Sequence, residues 1–441
     1  MSTTLSKTED IAKKAKSLGV DEVVAMTTFG KYRQVRFSNN QVDITVAWNM
    51  YVTSVALAWK KRVVATQIQN FEDIEGSLKN LVSLAKVSKE NPTFGGFAKG
   101  KFTYDKSKAD KRLADLENPT ELVFEAIDAA EKEAGGKIDS GGILFTKLED
   151  VYLASSEGPV GVDGRSAVEL SIRAFVQQEA SGHGVECSST LKGFDPSRAG
   201  RKAGEIARMA KNPKIGAEGT YDVVYDPLIC GSLVGVWGGM ASAYSVLAQM
   251  SIFIDKMGKK VAPDFVTLTD NPASYSLSSR VFDDEGVPTR ENVIIDRGVL
   301  KTYLHNASTA KMFKTKTTGN AGLVAPNAWS LELCAGDRSE KELFEEVKHG
   351  LYLTNTWYTR FQNYAKGDYS TIPRDGIFSI ENGECKQSLK DLRVSDNVLT
   401  MLGNVAGLSK ERQHVHWWGE ADPPSLCPYV LIKNVHLTKS K

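Results

Sequence analysis

Residues 227–254 read PLICGSLVGVWGGMASAYSVLAQMSIFI, a run longer than one helix that contains no charged side chain and no histidine. Gly231, Gly235, Gly239 and Ala243 recur at every fourth position. Fourth neighbours stack on one helix face, so the spacing predicts a bare ridge along one side of a single helix. Each interior glycine costs helix stability relative to alanine. Three in register therefore point to close approach of another backbone, with Gly231, Gly239 and Ala243 as the contact positions for a partner or a peptide. The run is long enough to span a bilayer. Its glycines, Ser232, Ser242, Ser245 and Gln249 instead favour a helix buried between protein surfaces.

Outward from this run, the chain has 441 residues, which predicts more than one domain. The formal net charge of +1 argues against general polyanion binding, and no nucleic-acid motif is present. The five cysteines, Cys187, Cys230, Cys334, Cys385 and Cys427, are scattered and never form a CxxC pair. Together with a polar N-terminus, this predicts a reduced, cytoplasmic protein without a membrane segment.

The fold class expected is α+β in two domains: residues 1–212, a mixed α/β domain, and residues 220–441, a β-rich domain. A Pro- and Gly-containing connector separates them. In the first half, strands at 22–28, 32–38, 42–47, 52–58 and 63–67 form a meander, with Asn39–Asn40 and Lys60–Lys61 as turns. Residues 11–18 and 74–87 read as helices, and 91–116 as an exposed excursion. Asn118–Pro119 and Asp195–Pro196 open two further helices. Residues 168–176 alternate as a strand with Val168, Leu170, Ile172, Ala174 and Val176 on one face. In the second half, Asp296-Arg297-Gly298 and Glu381-Asn382-Gly383 read as hairpin turns, and 340–349 as a helix.

Candidate chemistry is sparse. His183 and Glu186 lie in SGHGVEC, but flanking glycines discourage a metalloprotease helix, so His183 reads as a loop residue after a strand. His414 and His416 share a face if extended, an acceptable but incomplete ligand pair. Asp283-Asp284-Glu285-Gly286 reads as a solvated turn rather than a cation site. Ser278–Ser279 and Ser308–Thr309 offer hydroxyls without a legible base. No phosphate loop or dinucleotide fingerprint occurs.

Several long strings carry a resemblance. YDVVYDPLICGSLVGVWGGMASAY (221–244), FIDKMGKKVAPDFVTLTDNP (253–272), FDDEGVPTRENVIIDRGVLKTYLHNASTAKMFKTKTTGNAG (282–322) and KGDYSTIPRDGIFSIENGE (366–384) resemble the TldD/PmbA family, the modulator of DNA gyrase or peptidase U62-type group. The likeness extends more weakly to SSEGPVGVD (155–163). It implies a two-branch family that pairs as a heterodimer, in which the TldD-type subunit holds zinc on an HExxxH helix. Here the matching slot is Gly235-Val236-Trp237-Gly238-Gly239-Met240. Gly235 and Met240 stand at the ligand positions and Val236 at the general-base position. Cys385 and Cys427 do not restore a ligand set.

The chain thus resembles the PmbA branch, also called TldE, the partner without zinc. The implied role is a pseudoenzyme subunit with no catalytic or metal-binding residue of its own. Zinc is expected in the TldD-type partner, and the complex would process small or unfolded peptides. Alternatives are a homodimeric peptide- or protein-binding scaffold without protease activity, and an independent metalloenzyme built on His414, His416 and His183. The wording STIPRDGIF and the tail HVHWWGEADPPS depart from the common pattern.

Overall fold

Asn39, Asn40, Lys60 and Lys61 all adopt left-handed backbone, the conformation a two-residue hairpin turn requires. They reverse strands much longer than the periodicity predicted. The computed structural model of the chain describes residues 2–69, 71–272, 277–418 and 420–440; Gly419 of the divergent tail falls outside them. The segments at 22–28 and 32–38 are one strand, β1 (Glu22–Ser38). Those at 42–47 and 52–58 are one strand, β2 (Gln41–Trp59), followed by β3 (Arg62–Ile68). With β4 (Asp139–Ser155), β5 (Val160–Gln177) and β6 (Ala180–Ser188) they form a six-stranded antiparallel sheet in the order β3-β2-β1-β4-β5-β6.

Helices α1 (Ser2–Ser17), α2 (Ile74–Val87), α3 (Pro119–Ala134) and α4 (Pro196–Met209) pack on this sheet. α1 begins nine residues before the predicted start at Ile11. Val168, Leu170, Ile172 and Ala174 of β5 are buried against α3 and α4, so the predicted apolar face is the core face. The predicted excursion at 91–116 is anchored: Phe97, Ala98 and Leu113 are buried.

Residues 212–219 lead into a second, 12-stranded sheet. Its strands are β7 (Lys214–Ile215), β8 (Gly219–Tyr225), β9 (Leu268–Asp270), β10 (Asn292–Asp296), β11 (Val299–Leu300), β12 (Leu331–Leu333), β13 (His349–Asn363), β14 (Asp368–Glu381), β15 (Glu384–Lys390), β16 (Leu392–Asn397), β17 (Val405–Trp417) and β18 (Ala421–Lys439). β18 pairs with β8, β8 with β13, β13 with β14, β14 with β16, and β16 again with β18, closing a ring. Both predicted turns are present: Arg297–Gly298 and Asn382–Gly383 have positive φ at each position.

The helices of this half are α5 (Pro227–Met240), α6 (Ala243–Leu247), α7 (Ala307–Met312), α8 (Glu340–Glu345) and α9 (Val398–Gly403). The predicted helix at 340–349 is therefore shorter, because His349 already starts β13. The uncharged run is not one helix either. After Met240 the main chain turns to pair with Leu304: Leu304 N donates to Ala241 O and Ala243 N donates to Leu304 O, both at 2.9 Å. Ser242 Oγ also donates to Pro326 O at 2.7 Å. These bonds replace helical ones, so Ala243 belongs to a separate short helix and does not continue the glycine row. No helix among the described residues is long and apolar enough to cross a membrane.

Candidate functional site

α5 carries residues 235–240, the stretch expected from the resemblance to stand at the HExxxH slot. Its N-terminus is built by Asp226, whose carboxylate accepts Leu228 N at 3.1 Å, with Pro227 in the first turn. The same carboxylate accepts from Tyr352 Oη at 2.8 Å and lies 3.0 Å from Lys202 Nζ. Lys202 also donates to Tyr352 Oη at 3.0 Å and Tyr429 Oη at 2.8 Å. Burial works against the Lys202 charge, but Asp226 and the two phenols outweigh it and hold the pKa well above the usual value. The cluster ties α4, β13 and β18 to the start of the slot helix. It borders a cavity of about 520 Å³ that also contains Glu205, Glu340 and Cys385.

The slot faces the chain's own β17–β18 hairpin. A Cβ on Gly231 would stand 2.6 Å from Val415 Cγ2, and one on Gly235 2.8 Å from the Asp422 carbonyl oxygen. Gly238 is closed by Leu331 in the same way. Only Gly239 is open, with nothing within 4 Å of its added Cβ. Val236 and Met240 supply no nitrogen or oxygen donor, and Met240 is buried. The space a histidine at 235 would enter is occupied by main chain. The residues present do not fit a zinc ion here. Cys427 lies buried on β18 beside Cys230 of α5, and Cys385 lies in the Lys202 cavity. Among the described residues no group of three or more His, Cys, Asp or Glu could hold a metal ion.

The hairpin is itself clamped. His416 Nδ1 is 2.8 Å from Glu169 Oε2 on β5, and His416 Nε2 is 3.7 Å from Asp422 Oδ1. Burial alone lowers the His416 pKa, but Asp422 and Glu169 raise it to about 9, so the imidazolium bridges the two sheets. His414 is pushed the other way by burial. The two histidines, both on β17, are thus shifted in opposite directions.

His183 is a strand residue of β6, not a loop residue, and is fully enclosed. Its Nε2 is 2.8 Å from Ser171 Oγ and its Nδ1 is 2.9 Å from Asn355 Nδ2. Asn355 Oδ1 accepts Thr356 N, which leaves its amide to donate to His183 and, at 3.0 Å, to Asp375 Oδ2. Nδ1 is then an acceptor and the ring proton sits on Nε2, donating to Ser171. Burial, helped by Arg173, lowers the His183 pKa to about 4. A neutral ring that donates to the serine cannot deprotonate it, so the Ser171–His183–Asn355 array lacks the general base of a hydrolase. Asp375 also takes Arg173 Nε at 2.9 Å and Ser181 Oγ at 2.7 Å. The divergent STIPRDGIF stretch thus helps join the sheets. Glu186 points away from His183 and pairs with Arg198 at 2.9 Å.

The acidic turn at 283–286 is a turn, with Gly286 at φ 84°, but it is not solvated. Asp283 accepts the main-chain N–H of Glu285, Val287 and Ala321, and Glu285 accepts those of Ala98 and Ala307. Burial raises their pKa values to about 7 and about 8. Ser308 Oγ accepts Gly95 N at 3.0 Å, and Thr309 completes the cap of α7. Asp226–Pro227 repeats the Asp-Pro start read at Asp195–Pro196, a local signal of the cap that was not read from the sequence. The sequence gave no sign of the partners of Lys202, Glu169 or Asn355, because each lies on a different and distant element.

Residues 218–439 match the model of the PmbA/TldA metallopeptidase C-terminal domain, and residues 110–211 that of the central domain. This chain belongs to the PmbA/TldD family. A metalloprotease of Methanothermobacter thermautotrophicus is 29% identical over 66% of this chain and 66% of its own length. Metalloprotease MJ0996 of Methanocaldococcus jannaschii is 34% identical over 44% of each chain. The chain spans less than two thirds of the length of these two relatives. The metalloprotease PmbA homolog of Haemophilus influenzae is 24% identical over 82% of this chain and 81% of its own.

Two solved structures share the fold. TldE from Thermococcus kodakarensis superposes with a TM-score of 0.84 at 19% identity, covering 98% of this chain and 99% of that one. A Thermotoga maritima protein described as a candidate modulator of a DNA gyrase gives 0.85 at 22%, covering 99% and 100%. The PmbA/TldD relatives are named metalloproteases, and the α+β arrangement in two sheets is theirs.

Proposed function

We propose that this chain is the non-catalytic, TldE/PmbA-type subunit of a cytoplasmic TldD/TldE-type zinc metalloprotease, in which an HExxxH partner supplies the zinc and this subunit helps hold small or unfolded peptides. The observation that carries the reading is the HExxxH slot itself. Gly235, Val236 and Met240 offer neither ligand nor base, and the Asp422 carbonyl fills the space in front of Gly235. Zinc-dependent hydrolysis needs a metal-bound water and a base to activate it, and this helix provides neither. His183, neutral and donating to Ser171, also gives that serine no base, which agrees with this reading. Exposed Gly239 supports a close contact with the partner, since no described residue lies within 4 Å of its added Cβ.

The test combines metal analysis with reconstitution. The purified chain is expected to carry no stoichiometric zinc and to cleave no unfolded peptide. Peptidase activity is expected only when an HExxxH relative is added, with zinc recovered in the complex. Peptide cleavage by the chain alone, surviving repurification and abolished by a chelator, overturns the reading.

A further inference from the structure

The two stretches whose wording departs from the common pattern, STIPRDGIF (370–378) and HVHWWGEADPPS (414–425), meet beside β13. Along β14, Tyr369 and Thr371 are buried on one face, and alternation places Ser370, Ile372 and Arg374 on the other. Opposite these on β13 stand Arg360, Trp357 and Asn355. The register of β13 shifts between Trp357 and Arg360, and Tyr358 lies there in left-handed backbone at φ 60°. Bulky side chains seldom adopt that conformation, and bulges commonly re-aim a side chain. Here the tyrosine is 49% exposed, and Thr359 N of the bulge donates to Glu420 Oε1 at 3.2 Å. Cationic and aromatic groups then run on without a gap. Arg374 Cζ is 5.7 Å from the Trp357 ring, Trp357 meets Tyr358 edge-on at 5.5 Å, and Arg360 Cζ is 5.9 Å from the Tyr358 ring. Trp418, 72% exposed, stands 6.2 Å from Trp357. Arg393 of β16 reaches the same face and donates to Ser370 Oγ at 3.1 Å. Arg173, Arg198 and Arg338 each have a carboxylate partner. Among the described residues none pairs with Arg360, Arg374 or Arg393. Guanidinium groups placed beside aromatic rings without a carboxylate of their own present a fork to an incoming one.

We propose that this surface binds an extended acidic peptide segment, with carboxylates at two positions four residues apart and an apolar or aromatic side chain midway. The proposal rests on the peptide-holding role given above and names the class of peptide. Charge complementarity selects the acids, and the strand geometry sets their spacing. Arg360 and Arg393 converge at Ser370, and Arg374 lies four residues further along β14, where the ladder is unbroken. The two cationic ends are therefore ~13 Å apart, the distance between side chains i and i+4 on one face of an extended peptide. Side chain i+2 then falls over Ile372 and beside Trp357, with Tyr358 and Trp418 to enclose an aromatic ring. A single nucleic-acid strand also offers anions and rings to stack. The formal net charge of +1 gives the chain no general pull on such a polyanion, which favours the peptide.

Fluorescence anisotropy of the full chain with a short labelled peptide tests it. The peptide carries aspartate at two positions four apart, phenylalanine midway and glycine elsewhere. The wild-type chain is expected to bind it, and R360E/R374E to weaken binding roughly tenfold or more. R360Q/R374Q and W418A are expected to weaken it in the same direction. K13E/K341E makes the same change in net charge at two exposed lysines elsewhere and is expected to bind as the wild type does. Thermal melts check that each variant is folded, and positions 360, 374 and 418 are exposed. No binding by the wild type, equal binding of a peptide with lysine in place of aspartate, or unchanged binding by both arginine variants overturns the proposal. Equal binding of a peptide with its two aspartates adjacent overturns the spacing. Tighter binding of single-stranded oligothymidine, lost in R360E/R374E, assigns the surface to nucleic acid and overturns the peptide. The measurement needs neither zinc nor a partner subunit. Its failure therefore leaves the subunit role standing, and failed reconstitution of activity leaves this binding standing.

Discussion

His416 shows how much one residue's neighbours decide. On sequence it was half of a ligand pair. In the fold it is a cation between Glu169 of one sheet and Asp422 of the hairpin that covers the HExxxH slot. Its pKa is raised from 6.5 to about 9. A raised histidine pKa stabilises the fold fully below the unfolded value, and the contribution fades as pH climbs through the folded value. The stability of the wild type over H416Q is therefore expected to be about 1–3 kcal/mol near pH 6 and to vanish above pH 9. Paired urea titrations across that window measure it; a difference that grows with pH contradicts the clamp. His183 makes the opposite point. Its flanking glycines argued correctly against a metal helix, but their cause was hidden. An added Cβ on Gly182 would stand 2.1 Å from Ala203 O, and one on Gly184 2.0 Å from Ala199 O. They are glycines because α4 lies directly on β6.

Among the elements, the tightest glycine seam is on α4 rather than α5. Gly200 and Gly204 face α3, where an added Cβ would stand 2.1 Å from Ala126 O and 2.3 Å from Ala130 O. The unyielding neighbour is main chain, so G204A is expected to cost about 1–3 kcal/mol as the helices are forced apart. Gly239 of α5 is exposed and unopposed, and G239A is expected to stabilise the isolated chain by about 0.5–1 kcal/mol through helix propensity. Denaturant midpoints of the two variants should move in opposite directions. The every-fourth spacing on α5 was real but incomplete as a guide. Gly231 and Gly235 pack on the chain's own hairpin, and Ala243 leaves the helix because Leu304 takes its main-chain hydrogen bond.

At the scale of the whole molecule, polar side chains join the two sheets: Lys202 with Asp226, Arg173 with Asp375, and His416 with Glu169. Apolar packing of Ile206 and Ala210 against Tyr352, Phe378 and Leu431 surrounds the first of these. K202A leaves the Asp226 carboxylate buried without its cation and is expected to cost about 3 kcal/mol. The double variant K202M/D226N should recover part of that loss, since it removes the stranded charge along with its partner. Guanidinium unfolding of the single and double variants separates pairing from simple loss of packing.

Local patterns sufficed for what depends on neighbours in sequence. Asn-Gly and Arg-Gly turns, the Asp195–Pro196 helix start and the alternating face of β5 were all legible, because each is set by a few adjacent side chains. Tertiary structure alone decided that the uncharged run breaks after Met240. It also decided that Asp283 and Glu285 are buried acceptors, and that His183 and His416 serve as ties between sheets. In each case the deciding partner comes from a remote strand or loop, and burial against that partner outweighs the local preference.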